Sequence, residues 1–174
     1  MLAAVLFAGC AATVTVTPVL KSGVVAHCQV IGRIAYDGNR EYLPGTLRDT
    51  PDAASPLTFR YGHESRYGSA AIPVGVTLLN PLTLVGFPTG SHDVVVTGVL
   101  EVLRGATVVR SYGAAAGLKG TGTMFSEGET FTSMRQRGLL LVRDNIAAQL
   151  CADHAGLEAL RAQAAPASAA ADRN

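Results

Sequence analysis

The sequence is poor in several residue types that mark common classes of protein. Its 174 residues include no tryptophan and only 16% charged residues, and 14 Lys and Arg against 13 Asp and Glu leave a formal net charge of +1. Because the charges are scattered singly, there is neither a basic stripe nor an acidic run, and we expect no nucleic-acid partner. The 48% hydrophobic content excludes a chain that is disordered throughout, and the length suits one domain.

Common catalytic and metal-binding motifs are also missing. The chain has no GxSxG nucleophile elbow, no HExxH zinc motif and no CxxC pair, and the glycine-rich stretch 113–122 lacks the GK[ST] ending of a P-loop. His63 beside Glu64, and His92 beside Asp93, could form acid/base pairs or ligate a metal, but neighbouring residues on a strand point to opposite faces. We therefore expect no enzyme, no metal site and no cofactor.

The first 20 residues carry no charge, and the two halves of this run differ. Residues 13–18 read Thr-Val-Thr-Val-Thr-Pro, and this β-branched alternation predicts a strand. A spanning helix needs roughly 20 apolar residues in helical register, which this pattern does not supply. Residues 1–9 remain as a short apolar stretch directly before Cys10, which suits a secretory leader.

The motif Phe7-Ala8-Gly9-Cys10 places a large apolar residue and two small residues before a cysteine. It resembles the lipobox of bacterial lipoproteins, whose thiol is acylated and whose chain is cut just before the cysteine. The resemblance implies a signal peptide over residues 1–9, truncated because no basic residue precedes the apolar run, and a lipidated N-terminus with a first strand over 10–23. Several acyl chains on Cys10 would anchor the protein durably. The alternative is a buried cysteine in a hydrophobic N-terminus.

The same resemblance bears on the compartment. Ala11 and Ala12, and no aspartate, follow Cys10, a pattern that in Gram-negative lipoproteins favours the outer membrane over the inner one. The resemblance therefore implies an anchor in the outer membrane and a domain that faces the periplasm. The membrane is then one partner, held through the acylated cysteine.

Alternating apolar residues predict strands in the middle of the chain. Apolar residues occupy the even positions over 24–36, and Asp37-Gly38-Asn39 predicts a tight hairpin whose returning strand is 41–43. A second hairpin is predicted over 93–118, with its turn at 104–106. Consecutive hairpins favour an antiparallel sheet.

Near the C-terminus the spacing of apolar residues changes from that of a strand to that of a helix. Ser126-Glu127-Gly128-Glu129 fits a capping box at the start of a helix. Apolar residues at helical spacing from Phe131 to Leu150 then predict an amphipathic helix of about 21 residues, or about 32 Å, long enough to cover one face of a small sheet. A short second helix is expected over 157–164, and a disordered tail over 165–174.

These elements predict an α+β fold. We expect an antiparallel sheet of about four to six strands with one long C-terminal amphipathic helix packed on it. Residues 24–164 are predicted to form this single domain.

The segment 67–91 has 25 residues and no charged side chain. Pro73, Pro81 and Pro88 divide it into pieces too short to span a bilayer as a helix. It is either buried core or a surface covered by protein or lipid, because a long exposed apolar loop promotes aggregation. We predict an interaction site in this segment, formed by Leu78, Leu79, Asn80, Pro81, Leu82, Leu84 and Phe87.

Cys28 and Cys151 are the two thiols that remain if Cys10 is acylated. In an oxidising compartment they could form a disulfide that closes a long loop. Helical phase counts against the bond, because it places Cys151 on the polar side of the helix while Cys28 points to the apolar face of the sheet. Pairing would require the helix to end or kink near Leu150, and two separate buried thiols are the alternative.

Together these features predict a membrane-anchored periplasmic lipoprotein that acts as a structural or accessory interaction subunit of the bacterial cell envelope and docks on an envelope protein. The alternative is a module that binds a lipid or another apolar ligand through residues 67–91. The repeated Arg-Tyr-Gly at 60–62 and 66–68 could stack on a sugar or a peptide, although both residue types are common on ordinary surfaces.

Overall fold

The computed structural model describes residues 13–20, 28–50, 55–71, 88–123 and 128–163. These residues form one six-stranded sheet, in the order β1-β6-β5-β4-β2-β3, and two C-terminal helices. The strands are β1 (Thr13–Thr17), β2 (Val30–Ala35), β3 (Leu47–Asp49), β4 (Thr58–Ala71), β5 (Pro88–Arg104) and β6 (Thr107–Thr123). The helices are α1 (Phe131–Ala152) and α2 (His154–Ala162), and a short 3₁₀ turn covers Arg40–Tyr42.

The centre of the sheet is an antiparallel meander of β4, β5 and β6. β4 pairs with β5 along its whole length, from Thr58 opposite Leu103 to Ala71 opposite Gly90. β5 turns into β6 through Gly105, whose φ of 59° is the left-handed conformation that glycine adopts without strain. The hairpin predicted over 93–118 is therefore confirmed, and its strands are longer than the pattern indicated.

The predicted hairpin after Asp37-Gly38-Asn39 is wrong. Gly38 and Asn39 do not adopt positive φ, which a tight hairpin needs, and the Asn39 side chain instead accepts a hydrogen bond of 3.0 Å from the Glu41 N–H to cap the 3₁₀ turn. The chain then crosses over, so that β2 runs parallel to both β3 and β4. The α+β class holds, but the sheet is mixed and not antiparallel.

Helix α1 covers one face of the sheet, which we call the helix face. It begins after Thr130, whose hydroxyl accepts a hydrogen bond from the Ser133 N–H at 3.2 Å. The N-cap is therefore Thr130 and not Ser126, which lies outside the described residues. The predicted length and buried stripe are confirmed, and the buried apolar side chains are Met134, Leu139, Val142, Ile146 and Leu150.

Glycines bring α1 close to the sheet. A Cβ on Gly138 of the helix would lie 2.7 Å from Val96 Cγ2, and a Cβ on Gly98 of β5 would lie 2.5 Å from Val142 Cγ1. Such distances are shorter than carbon atoms tolerate, so only glycine fits at both positions. Phe59, Leu100 and other fully buried residues of β4, β5 and β6 complete the core against the helix.

Candidate functional site

The residues predicted to carry function fall largely outside the described part of the chain. Cys10 lies before it, and Leu78, Leu79, Asn80, Pro81, Leu82, Leu84 and Phe87 lie between Ala71 and Pro88. The structure does place the two points where that segment is attached, because Ala71 ends β4 and Pro88 begins β5. The segment therefore joins the ends of two strands that pair antiparallel along all 14 residues of β4.

The tip of this hairpin extends past the start of α1. The Phe131 ring, at the first turn of the helix, contacts the ring of Tyr67 at 5.7 Å and the ring of His92 at 4.7 Å between centroids. Beyond Tyr67, β4 and β5 continue for four more residue pairs, as far as Ala71 opposite Gly90. At about 3.4 Å per residue, the attachment points of the uncharged segment lie roughly 14 Å past this aromatic contact.

Cys28 and Cys151 are joined by a disulfide, with their Cα atoms 5.4 Å apart. Helical phase does not prevent this bond, because Cys28 precedes β2 and is not held on the face of the sheet. Helix α1 also ends at Ala152, one residue after Cys151, as pairing requires. Close by, His154 Nε2 lies 3.3 Å from the Gln29 carbonyl oxygen, a second contact between the end of α1 and the chain before β2.

A cluster of aromatic side chains occupies the helix face of β4. Tyr36 and Tyr42 flank Tyr61 and His63, with ring centroids 5.3 Å apart for Tyr36 and Tyr61 and 6.2 Å apart for Tyr42 and His63. Arg143 of α1 donates a hydrogen bond of 2.9 Å to the Glu41 carbonyl and ties the 3₁₀ turn to the helix beside the cluster. The edge-to-face geometry favours a packed and specific arrangement.

Two polar atoms in this cluster have no hydrogen-bond partner within the described ranges, namely Tyr61 Oη and His63 Nδ1, and both are buried. Burial, reinforced by the neighbouring Tyr36 hydroxyl, raises the pKa of Tyr61 to about 12. Burial, reinforced by the positive charge of Arg135, lowers the pKa of His63 below its ordinary value. His63 is therefore a neutral imidazole at neutral pH.

Among the described residues, His63 and Glu64 do not come together as an acid/base pair. His63 points to the helix face, whereas Glu64 points to the opposite face, which we call the outer face, and forms an ion pair of 3.0 Å with Arg66. His92 packs on Phe131, and Asp153 accepts a hydrogen bond of 2.7 Å from the Tyr112 hydroxyl. Within the part of the chain that the structure describes, no group of three His, Cys, Asp or Glu side chains could hold a metal.

The outer face carries a shallow, open pocket of about 540 Å³ over β4 and β5. Gly62 forms its floor, since a Cβ there would meet nothing within 4 Å, and Val99 lies opposite Gly62 in the sheet. The rim is charged, and Arg60 and Glu101 form a salt bridge across the strands at 2.5 Å. A charged rim around a small apolar floor does not suit a lipid tail.

Sequence reasoning missed the free edge of β4. β2 pairs with β4 only at Thr58 to Arg60, and over Tyr61 to Ala71 no strand of the described ranges pairs with this side of β4. Along most of this 14-residue strand, the backbone N–H and C=O groups on this side therefore have no partner strand among the described residues. The one signal in the sequence is the polar stretch from Gly62 to Gly68, which has neither proline nor lysine, two residues that commonly protect an edge.

We find no family model, no curated protein and no solved structure that matches the chain. No helix of the described residues is both long and apolar enough to cross a membrane.

Proposed function

We propose that the chain is a lipid-anchored protein of the bacterial cell envelope that faces the periplasm and acts there as a structural or accessory interaction subunit. The disulfide between Cys28 and Cys151 carries this proposal. Structural disulfides persist in oxidising compartments such as the periplasm and are rare in the cytosol, where thiols are kept reduced.

The cysteine count supports lipidation. The sequence has three cysteines, and the disulfide uses two of them, so Cys10 is left over. A leftover thiol in an oxidising compartment would form intermolecular bonds or react. Acylation of Cys10 would remove that hazard and supply the anchor, and Phe7-Ala8-Gly9 before it resembles the pattern that such acylation uses.

The interaction surface in this proposal is the uncharged segment that contains Leu78 to Phe87. It is attached where β4 ends and β5 begins, four residue pairs beyond the contact between Tyr67 and Phe131 at the start of α1. Its apolar residues need a cover, because a long apolar segment exposed on a monomer is an aggregation hazard. An envelope protein is the cover that we propose.

Intact-mass measurement of the membrane-extracted protein tests the anchor. Wild type is expected to begin at Cys10 and to carry the added mass of acyl chains, and Cys10→Ser is expected to lose them and to leave the membrane fraction. The matched control is Cys28→Ser, which removes a thiol from the disulfide and leaves acylation unchanged. An unmodified wild-type chain that retains residues 1–9 in the soluble fraction would refute the lipoprotein assignment.

Site-specific crosslinking tests the docking surface. A photoreactive residue at Leu84 is expected to crosslink to one envelope protein in intact cells, and the same residue at Ala155, an exposed site on α2, is expected to give no such product. Crosslinks from Leu84 to lipid alone would favour the alternative, a module that binds an apolar ligand. Equal labelling from both sites would contradict a specific surface.

A further inference from the structure

The free edge of β4 is long, and its charges are arranged in a way that favours pairing with a copy of itself. Beyond Arg60, where β2 stops, the edge runs Tyr-Gly-His-Glu-Ser-Arg-Tyr-Gly-Ser from Tyr61 to Ser69. Natural sheets usually protect such an edge with proline or with charged side chains, especially lysine, because exposed N–H and C=O groups attract another strand. Here Glu64 and Arg66 are of opposite sign and lie on the same face.

The pairing of β4 with β2 shows which residues direct their backbone N–H and C=O groups toward the free edge. The Arg33 N–H donates to the Leu57 carbonyl at 3.0 Å, so the odd-numbered residues of β4 direct their N–H and C=O groups to this side and the even-numbered ones bond to β5. An incoming antiparallel strand forms hydrogen bonds only if its own residues with outward N–H and C=O groups lie opposite these odd-numbered residues. In a pair of identical β4 strands, odd residues therefore face odd residues, and the numbers of two facing residues sum to an even number.

Charge then selects the register. A two-fold axis at Ser65 puts Glu64 opposite Arg66 of the second copy, and Arg66 opposite the Glu64 of that copy. An axis one residue earlier puts the two Glu64 carboxylates opposite each other, and an axis one residue later does the same with the two Arg66 guanidiniums. Opposite charges across a strand pair stabilise it and like charges destabilise it, so Ser65 is the favoured centre.

We propose that two copies of this chain associate through their β4 edges, antiparallel and centred on Ser65, so that the two sheets become continuous. The interface covers Tyr61 to Ser69 in each copy, and it ends at Tyr61 because β2 occupies the place beside Arg60. This inference concerns a surface distinct from the segment around Leu84 and does not depend on lipidation.

Side chains on the helix face support the same register. The Ser65 hydroxyl has no hydrogen-bond partner in the described part of the chain, and a two-fold axis at Ser65 places the two Ser65 residues opposite each other on this face. His63 then faces Tyr67 of the second copy. Tyr67 is 55% exposed in one chain, and the pairing covers it with the second copy's aromatic cluster.

Sedimentation of the full-length protein in mild detergent tests the proposal. Wild type is expected to dimerise reversibly, with a dissociation constant below roughly 100 μM. Glu64→Arg and Arg66→Glu are each expected to weaken association by about tenfold or more, because each turns both cross-strand charge pairs into like-charge pairs. Glu158→Arg, a reversal at an exposed position on α2, is the matched control and is expected to leave the dimer unchanged.

Mixing the two weakened variants separates pairing from general damage. The Glu64→Arg chain carries arginine at both positions of the charge pair, and the Arg66→Glu chain carries glutamate at both. In a mixed dimer each arginine therefore faces a glutamate across the strands, and both charge pairs are restored. The mixture is expected to recover wild-type affinity to within about threefold, although each variant alone associates about tenfold more weakly than wild type. A wild-type chain that stays monomeric would overturn the proposal, as would variants whose association is unchanged or whose mixture shows no recovery.

Discussion

Gly98 provides the most direct test of how α1 is seated on the sheet. It lies on the helix face of β5, where a Cβ would meet Val142 Cγ1 at 2.5 Å and Tyr61 Oη at 3.2 Å. Ordinary contacts between such atoms begin near 3.5 Å, so Gly98→Ala requires Val142 to move by about 1 Å. Val142 is fully buried and β-branched in a helix, with one preferred rotamer, so the helix itself must shift.

The change in the free energy of unfolding caused by Gly98→Ala is the difference between two opposing effects. Overpacking a well-filled core typically costs about 1–3 kcal/mol. Replacing a strand glycine by alanine recovers about 0.5–1 kcal/mol, because glycine loses more backbone freedom on folding. We therefore expect Gly98→Ala to lower the free energy of unfolding by up to about 2.5 kcal/mol.

Gly62 is the matched control, since it lies opposite Val99 in the neighbouring strand, where a Cβ would meet nothing within 4 Å. Gly62→Ala has the backbone gain without the clash and should equal or slightly exceed wild type in stability. Urea unfolding of the three proteins, followed by circular dichroism with the disulfide intact, measures the difference. If Gly98→Ala proved as stable as Gly62→Ala, the close seating of α1 on β5 would be wrong.

Two further predictions concern the disulfide and the buried hydroxyls. Replacing Cys28 and Cys151 by serine should lower the free energy of unfolding by about 2–5 kcal/mol, since the bond spans 123 residues, and a change below about 1 kcal/mol in urea unfolding would contradict it. Tyr112→Phe should cost about 1.5–3 kcal/mol, because the hydroxyl donates to the Asp153 carboxylate, whereas Tyr61→Phe should be close to neutral, because its hydroxyl has no partner in the described ranges. The pKa of Tyr61 is about 12 in the folded chain and 10.0 in the unfolded one, so the unfolded chain ionises first and the folded chain loses stability as the pH rises from 10 toward 12. Tyr61→Phe should reduce that alkaline loss, and an unchanged loss would refute it.

The parts of the fold that the sequence predicted are those determined by local periodicity. The 3.6-residue spacing from Phe131 to Leu150 predicts the helix and its buried stripe, because the same residues that make it amphipathic are those it buries. The alternation over 93–118, with Gly105 at its turn, predicts the β5–β6 hairpin for the same reason. Asn145 is the exception on the helix stripe: it is buried because its Nδ2 donates to the Pro18 carbonyl at 2.9 Å.

The direction of β2 could not be predicted from periodicity. Alternation predicts a strand but not its neighbour, and Asp37-Gly38-Asn39 is compatible with both a tight turn and a 3₁₀ cap. The choice depends on distant residues: Arg143 holds the turn through the Glu41 carbonyl, and Arg33 bonds to the Leu57 carbonyl just before β4. A crossover of this kind is decided by tertiary contacts that no local pattern contains.

The free edge of β4 could not be predicted from the sequence for a related reason. An edge exists only once the neighbours of a strand are known, and β4 is an edge because β2 leaves it after Arg60. Because side chains alternate along a strand, the two faces of β4 differ in their contacts. His63 packs in the aromatic cluster on the helix face, whereas Glu64 and Arg66 contact each other and solvent on the outer face. A change at His63 would disturb the core and the edge together. Charge reversal on the outer face alters the edge alone, so a loss of pairing there reports on the interface.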